Sequence, residues 1–314
     1  MISDLLNEII SHGDRGAVVP FSRVNDIKQD MIELQNGMFH TEWLKRMAKH
    51  ITDDANKFIP SDITFEPRSL ISVIIPSPKA MLQFIYHGGS FNCAVPPHYT
   101  NWNKHNIRVQ QYLSDYLSPY GFSATRAATF PHKLLAVHCG LGLYGRNNIC
   151  YNNEFGSYMQ IMTYISDAHC DETAWYPLGR MESCDECRAC VNACPTSAIN
   201  PNYRLVDSDR CLTFFNESAN AFPDWLDNAA HNSITGCTKC QDCCPGNAHN
   251  KNNIITGAIF TEKETIEILS NKGDSPYSES VAAKLDSTGI FQDYTDPSVL
   301  PRNLSVLLQH AQSK

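Results

Sequence analysis

CDECRACVNACP, residues 184–195, and GCTKCQDCCP, residues 236–245, bracket the stretch whose reading decides the fold of this chain. Nine of its thirteen cysteines lie between Cys184 and Pro245, with Cys211 isolated between the two runs. The first run is spaced C-x2-C-x2-C-x3-C-P. With two residues between thiolates, a tight loop can wrap one iron-sulfur cubane corner by corner. The proline then turns the fourth cysteine towards a second cubane. The second run departs from this pattern, because Cys243 and Cys244 are adjacent and neighbouring side chains rarely converge on one cubane. Cys244 precedes the proline and is assigned as the crossing ligand, Cys211 fills the remaining place, and Cys243 is spare. The expected ligands are Cys184, Cys187, Cys190 and Cys244 on one 4Fe-4S cluster, with Cys194, Cys211, Cys237 and Cys240 on the other. Two four-cysteine zinc sites, or disulfides, are the alternatives. Zinc sites rarely use a third cysteine two residues on or end in Cys-Pro.

At 314 residues and 42% hydrophobic composition, the chain is long enough for two domains with real cores. Its longest apolar run, Leu70 to Ile75 broken by Ser72, is too short to span a bilayer. The N-terminus MISDLLNEII shows no basic leader or long apolar segment, so thirteen cysteines point to a reducing compartment, and cytoplasm is expected. The 25 basic and 33 acidic residues give a net charge of −8. Residues 181–250 carry nine acidic against four basic side chains, a balance of −5. A surface of that sign repels phosphates and offers no footprint for tight electrostatic nucleic-acid binding.

The pattern outside the cysteine region mixes strands and helices. Residues 1–12 read as a helix, GAVVPF (16–21) as a short buried strand, and 22–51 as helical, with Trp43, Leu44, Met47 and Ile51 on one face. SLISVIIP (69–76) reads as a central strand covered on both faces, with 82–86 as its pairing partner and a Gly/Pro-rich loop over 87–97. Val109, Tyr112, Leu113, Tyr116 and Leu117 mark a helix. An α/β domain over 1–180 is therefore expected, followed by a bacterial two-cluster ferredoxin-like (α+β) domain over 181–250. A short C-terminal helical extension over 251–314 has helices at 261–269, 281–285 and 300–312. Phe214 to Trp225 forms an aromatic insert suited to shielding a cluster. Cys93, Cys139, Cys150 and Cys170 read as small buried residues.

Gly140, Gly142 and Gly145 satisfy G-x-G-x-x-G within FPHKLLAVHCGLGLYGRNNI (130–149). A dinucleotide fingerprint needs a strand before the glycines and a helix after them. Here 131–139 reads helical and 158–166 reads as a strand, the reverse order. The glycines then mark backbone pressed against something flat or bulky, with Arg146, Asn147 and Asn148 beside it, or a plain glycine-rich turn.

These pieces together resemble the epoxyqueuosine reductase family of cobalamin-dependent iron-sulfur enzymes, and more distantly the reductive dehalogenases. The segments that carry the resemblance are EPRSLISVIIPSP (66–78), GLGLYGRNNI, EFGSYMQIMTYISD (154–167), CDECRACVNACPTSAI (184–199), RCLTFF (210–215) and GCTKCQDCCPGN (236–247). The resemblance implies a corrinoid on the first domain, contacted by Gly140, Leu141, Gly142, Gly145, Arg146, Asn147 and Asn148. Electrons would pass from a low-potential ferredoxin or flavodoxin through the two clusters to cobalt, with tRNA as the implied substrate. Relatives resemble one another in an acidic proton donor just ahead of the long helix. This chain has Trp102, Asn103, Lys104 and His105 there, which leaves Tyr99 and His105 as the candidate catalytic donors. The helical-repeat region that some relatives carry after the clusters is not expected here. The competing expectation is an electron-transfer protein, or an activator that reduces another protein's corrinoid, without a substrate of its own.

Overall fold

A computed structural model describes residues 2–38, 59–171, 174–201, 205–271, 275–289, 296 and 298–312. The chain divides into two compact units that interleave along the sequence. The first takes 1–76, 105–187 and 202–205; the second takes 77–104, 188–201 and 206–314.

The first unit is built on a four-stranded sheet. Strand β1 (Arg15–Pro20) pairs with β2 (Ser69–Pro76), and β2 pairs with a later strand, Met159–Ser166, which in turn pairs with Ala124–Arg126. All three pairings are antiparallel, with Val18 opposite Ile71 and Ile71 opposite Tyr164. Leu70, Ile71, Val73 and Ile74 are each 0% exposed, so both faces of β2 are covered and its sequence runs apolar without alternation. Strands and helices are mixed here as expected, but the connections are not the parallel crossovers of a strict α/β sheet. Helix α1 (Ile2–Ser11) buries Leu5 and Ile9, and α2 (Val24–Met38) contributes Val24, Ile27 and Met31 to the core. The helical expectation for Trp43 to Ile51 lies outside the described residues. Of helix α3 (Trp102–Leu117), the part from His105 on belongs to this unit and buries Val109, Tyr112, Leu113 and Leu117. The wholly buried Asp14 accepts hydrogen bonds from Arg108 (2.8 Å) and the Tyr112 hydroxyl (3.0 Å), fixing that helix to the turn before β1.

The second unit contains a hairpin that departs from the expected pairing. Strands β3 (Lys79–Tyr86) and β4 (Gly89–Val95) pair with each other, not with β2. Pro76 and Pro78 lack the N–H groups needed to extend β2, and the chain leaves that sheet there. His87 and Gly88 both have positive φ, 46° and 72°, which makes the two-residue turn that matches the twist of a hairpin. The segment read as a Gly/Pro-rich loop is therefore a strand whose alternate residues Phe91, Cys93 and Val95 join the core. On its other edge β3 pairs in parallel with the strand Ile254–Phe260. Three consecutive domains were expected from sequence; through this pairing residues 251–314 join the unit that carries most of the cysteines. Phe84 stacks on Phe260 at 4.8 Å, and Leu82, Ile268, Val281, Leu285, Leu300, Leu304 and Leu308 close the core around them. The three C-terminal helices run Glu262–Ser270, Glu279–Thr288 and Val299–Gln312, close to the expected segments. The first begins with a capping box between Thr261 and Glu264. Among the described residues, no helix is long and apolar enough to cross a membrane.

Candidate iron-sulfur site

The parts of the two cysteine runs that lie in the second unit, from Arg188 and from Gly236 onward, fold the same way. Cys190 lies in a short helix, Ala189–Ala193, and Cys240 in another, Lys239–Asp242. Each helix is followed by a Cys-Pro pair with extended backbone, Cys194 at φ −69°, ψ 114° and Cys244 at φ −73°, ψ 124°. Extended geometry is what the residue before a proline prefers, and it throws the cysteine side chain away from the helix it ends. The repeat aligns Cys187, Cys190 and Cys194 with Cys237, Cys240 and Cys244. It leaves Cys243 as the extra residue, capping its helix with the thiol turned back to donate to the Cys240 carbonyl at 3.7 Å. Lys79 and Thr238 each bind Asp242 at 2.7 Å, anchoring that helix to the start of β3.

Cys194 and Cys211 lie near enough to Cys237 for their charges to act on it. Burial pushes the Cys237 thiol up to about 11, against hydrogen bonds from Asn232 and Lys239, and the nearby charges of Cys211 and Cys194 add to the rise. Burial likewise raises Cys211, and Cys194 adds to it. Without metal the Cys211 and Cys237 thiols are protonated at neutral pH. Loading iron must displace their protons, as thiolate-metal binding generally does. Two donors point at the sulfurs: Ala198 N–H reaches Cys194 Sγ at 3.2 Å, and Asn232 Nδ2 reaches Cys237 Sγ at 3.2 Å. Asn232 is itself fixed by accepting the Thr238 N–H at 2.9 Å. Buried polar atoms without a partner in the chain gather in the same stretch: Ser208 Oγ, Asn216 Oδ1, Thr235 Oγ1 and both ring nitrogens of His231. Thiols with donors aimed at them and unsatisfied polar atoms around them suit a bound cluster. Among the described residues, no three His, Cys, Asp or Glu side chains converge on one ion. A zinc ion, with Zn–S near 2.3 Å, needs its thiolates within about 4 Å of one another.

The insert between the runs surrounds this group. Phe215 and Phe222 pack with Cys237 against Leu212, Leu226 and Ala230, and Phe215 meets Trp225 edge-on at 5.4 Å. Arg302 stacks over Phe222 at 4.0 Å and donates to Phe215 O at 2.7 Å. Asn303 donates to both Asn216 O and Ile234 O at 2.9 Å, tying the last helix to the insert. Sequence spacing gave no sign of Asn232, Arg302 or Asn303, since their partners are backbone and sulfur atoms chosen by the fold.

The candidate donors separate. Tyr99 belongs to the second unit, its ring lying where a side chain on Gly236 (φ 58°) would stand and its hydroxyl donating to Glu217. Burial holds the Tyr99 hydroxyl well above its ordinary range, helped by Glu217 and by the charges of Cys211 and Cys237. Desolvation raises the Glu217 carboxyl while the Tyr99 bond opposes it, although other Glu217 atoms reach solvent. Tyr99 thus faces the cysteine group. His105 belongs to the first unit, with Nδ1 2.8 Å from Gln160 Oε1 and its pKa lowered by burial.

The glycine turn of the first unit is filled by the chain itself. A side chain at Gly140 (φ 73°) would meet the Tyr176 ring at 2.8 Å, one at Gly142 would meet Cys150 Sγ at 2.6 Å, and one at Gly145 the Tyr151 ring at 2.6 Å. Asn147 donates to the Tyr151 hydroxyl at 2.9 Å, and Lys133 donates to Asn148 O at 2.9 Å. Leu141 packs with Cys150 and Phe155. Arg146 donates to Cys184 O. The flat, bulky neighbours pressed against Gly140 and Gly145 are thus tyrosines of this chain, Tyr176 and Tyr151.

The class defined by this site is an iron-sulfur protein with two cubanes: residues 183–247 match the 4Fe-4S double cluster binding domain family. Among curated proteins, the chain is 32% identical over 146 residues to the epoxyqueuosine reductase of Cellulophaga algicola, covering 46% of each chain. It is 34% identical over 133 residues to that of Pseudomonas aeruginosa, covering 42% of this chain and 36% of the relative. The match thus spans less than half the length of these relatives. Solved epoxyqueuosine reductases from Bacillus subtilis (TM-score 0.66, 15% identity, 82% of that chain) and Streptococcus thermophilus (TM-score 0.62, 17% identity, 80% of that chain) share the fold over 99% of this chain. The chain is therefore similar to epoxyqueuosine reductases, in sequence over part of its length and in fold.

Proposed function

We propose that this protein is an iron-sulfur oxidoreductase of the epoxyqueuosine reductase kind, passing electrons through two 4Fe-4S clusters to reduce its substrate. The observation that carries the reading is the repeated helix-then-Cys-Pro fold of the two runs, together with the grouping of Cys194, Cys211 and Cys237. On this reading Cys184, Cys187, Cys190 and Cys244 hold one cluster, and Cys194, Cys211, Cys237 and Cys240 hold the other. A low-potential ferredoxin or flavodoxin supplies the electrons. A solved relative was captured with an epoxyqueuosine-modified tRNA stem loop, which supports a tRNA base as the substrate class. The family resemblance implies a corrinoid as the final carrier; bound, it would supply low-valent cobalt for the reduction.

Anaerobic purification should give about eight irons per chain with matching sulfide, and zinc in their place would end the reading. The loaded protein, given a low-potential reductant and cob(II)alamin, should convert epoxyqueuosine in tRNA. A second reading, an electron-transfer protein with no substrate of its own, is favoured by Tyr99 facing the cysteines and the glycine turn being filled. Full clusters, no change in the cob(II)alamin spectrum on titration and no turnover of the tRNA would establish it.

A further inference from the structure

The segment from Trp175 to Asp185 lies along the glycine turn residue by residue, all within the first unit. Trp175 stacks flat on His138 at 4.4 Å. The Tyr176 N–H donates to His138 O at 2.8 Å, and His138 Nδ1 donates back to Tyr176 O at 2.5 Å. The Tyr176 ring then covers Gly140. Further on, Leu143 fills the space beside Gly179, the Tyr144 N–H donates to Gly179 O at 3.0 Å, and the Met181 N–H donates to Tyr144 O at 3.0 Å. The register ends at Arg146, 8% exposed, whose Nη2 donates to Cys184 O and, at 3.4 Å, to Asp185 O.

We infer that the turn from Gly140 to Arg146 is the mould that sets the lead cysteines of the first cluster, with Arg146 as its positioning residue. This rests on the two-cluster reading above. Gly140 is needed because the lead-in's Tyr176 ring presses where its side chain would stand, and Gly142 and Gly145 keep the turn close to Cys150 and Tyr151 behind it. The arginine is needed because its planar guanidinium holds Nη2 in a fixed direction towards two successive carbonyls, whereas a lysine ammonium is a rotating point donor on a flexible stem. Through those carbonyls Arg146 fixes the backbone from which Cys184 projects, before any iron arrives. A buried cation this close to a ligand also favours the more negative, reduced state of the cluster.

The test uses the full chain, reconstituted anaerobically, with Arg146→Ala and Arg146→Lys beside the parent. Iron and sulfide are counted, and each cluster's midpoint is followed by a redox titration read by electron paramagnetic resonance. Arg146→Ala should either drop from about eight irons towards four or keep eight with one cluster's midpoint shifted downward, the other cluster being unchanged in both cases. Arg146→Lys, which keeps the charge but not the planar guanidinium, should fall between parent and Arg146→Ala in first-cluster occupancy and stays informative if the alanine variant fails to fold. Eight irons with both midpoints at parental values in the two variants would overturn the inference. The same result with loss of cob(II)alamin binding would return the turn to a corrin. A parent chain that takes up no cubanes would instead sink the proposed function.

Discussion

Cys243 and Cys244 share a peptide bond and face different tasks. Cys244 stands in extended backbone ahead of Pro245, whereas Cys243 caps its helix with the thiol on the Cys240 carbonyl. A Cys243→Ser chain is expected to keep about eight irons, while Cys211→Ser should retain about four, both read by iron analysis after anaerobic reconstitution. The different backbone settings of Cys243 and Cys244 were legible from spacing, because a Cys-Pro pair and a four-residue interval recur in both runs. The role of Tyr99 was not legible: its partners, Glu217 and the residues around Cys211, are over a hundred positions away. His138 carries a pH prediction of its own. Burial lowers its pKa, but hydrogen bonds to Asp30 (2.6 Å) and Tyr176 outweigh this and leave it raised. A raised folded pKa gives stability that is full below the ordinary histidine value near 6.5 and lost as pH rises through the folded value. Thermal unfolding should show that decline above pH 6.5, and His138→Gln should flatten it.

At the level of elements, the last helix, Val299–Gln312, acts on the cluster region through Asn303. Its side chain, 0% exposed, satisfies the carbonyls of Asn216, within the aromatic insert, and Ile234, beyond it. Asn303→Ala would leave both carbonyls buried and unpaired, at a cost of about 1–3 kcal/mol each. The expected outcome is a lower melting temperature, and faster loss of iron in air than the parent shows with its insert held in place. Periodicity identified this helix and the helix Trp102–Leu117 because their buried residues recur every three or four positions. It misread β4, where Gly88, Gly89 and Pro96 looked like loop punctuation although two of them make and follow a tight hairpin turn.

For the whole molecule, the deciding pairing is β3 with the strand Ile254–Phe260. No local signal in the sequence reports a parallel contact between segments this far apart, which is why three consecutive domains were expected. A chain ending at residue 250 would lose that strand and the three helices that supply Phe260, Ile268, Val281, Leu285, Leu300, Leu304 and Leu308 to the core. Such a truncation is expected to leave 77–104 and 188–250 open to limited proteolysis and unable to retain iron, while the first unit stays protected.

The same pairing governs how the protein is born. On the ribosome, β3 and β4 emerge early and must wait for the strand that begins at Ile254, and every cysteine from Cys184 to Cys244 appears in the interval. At translation speeds of about 5–20 residues per second, those thiols spend several seconds on an unfinished scaffold. Iron delivery to the Cys194 group is therefore expected on the completed polypeptide rather than on the nascent chain.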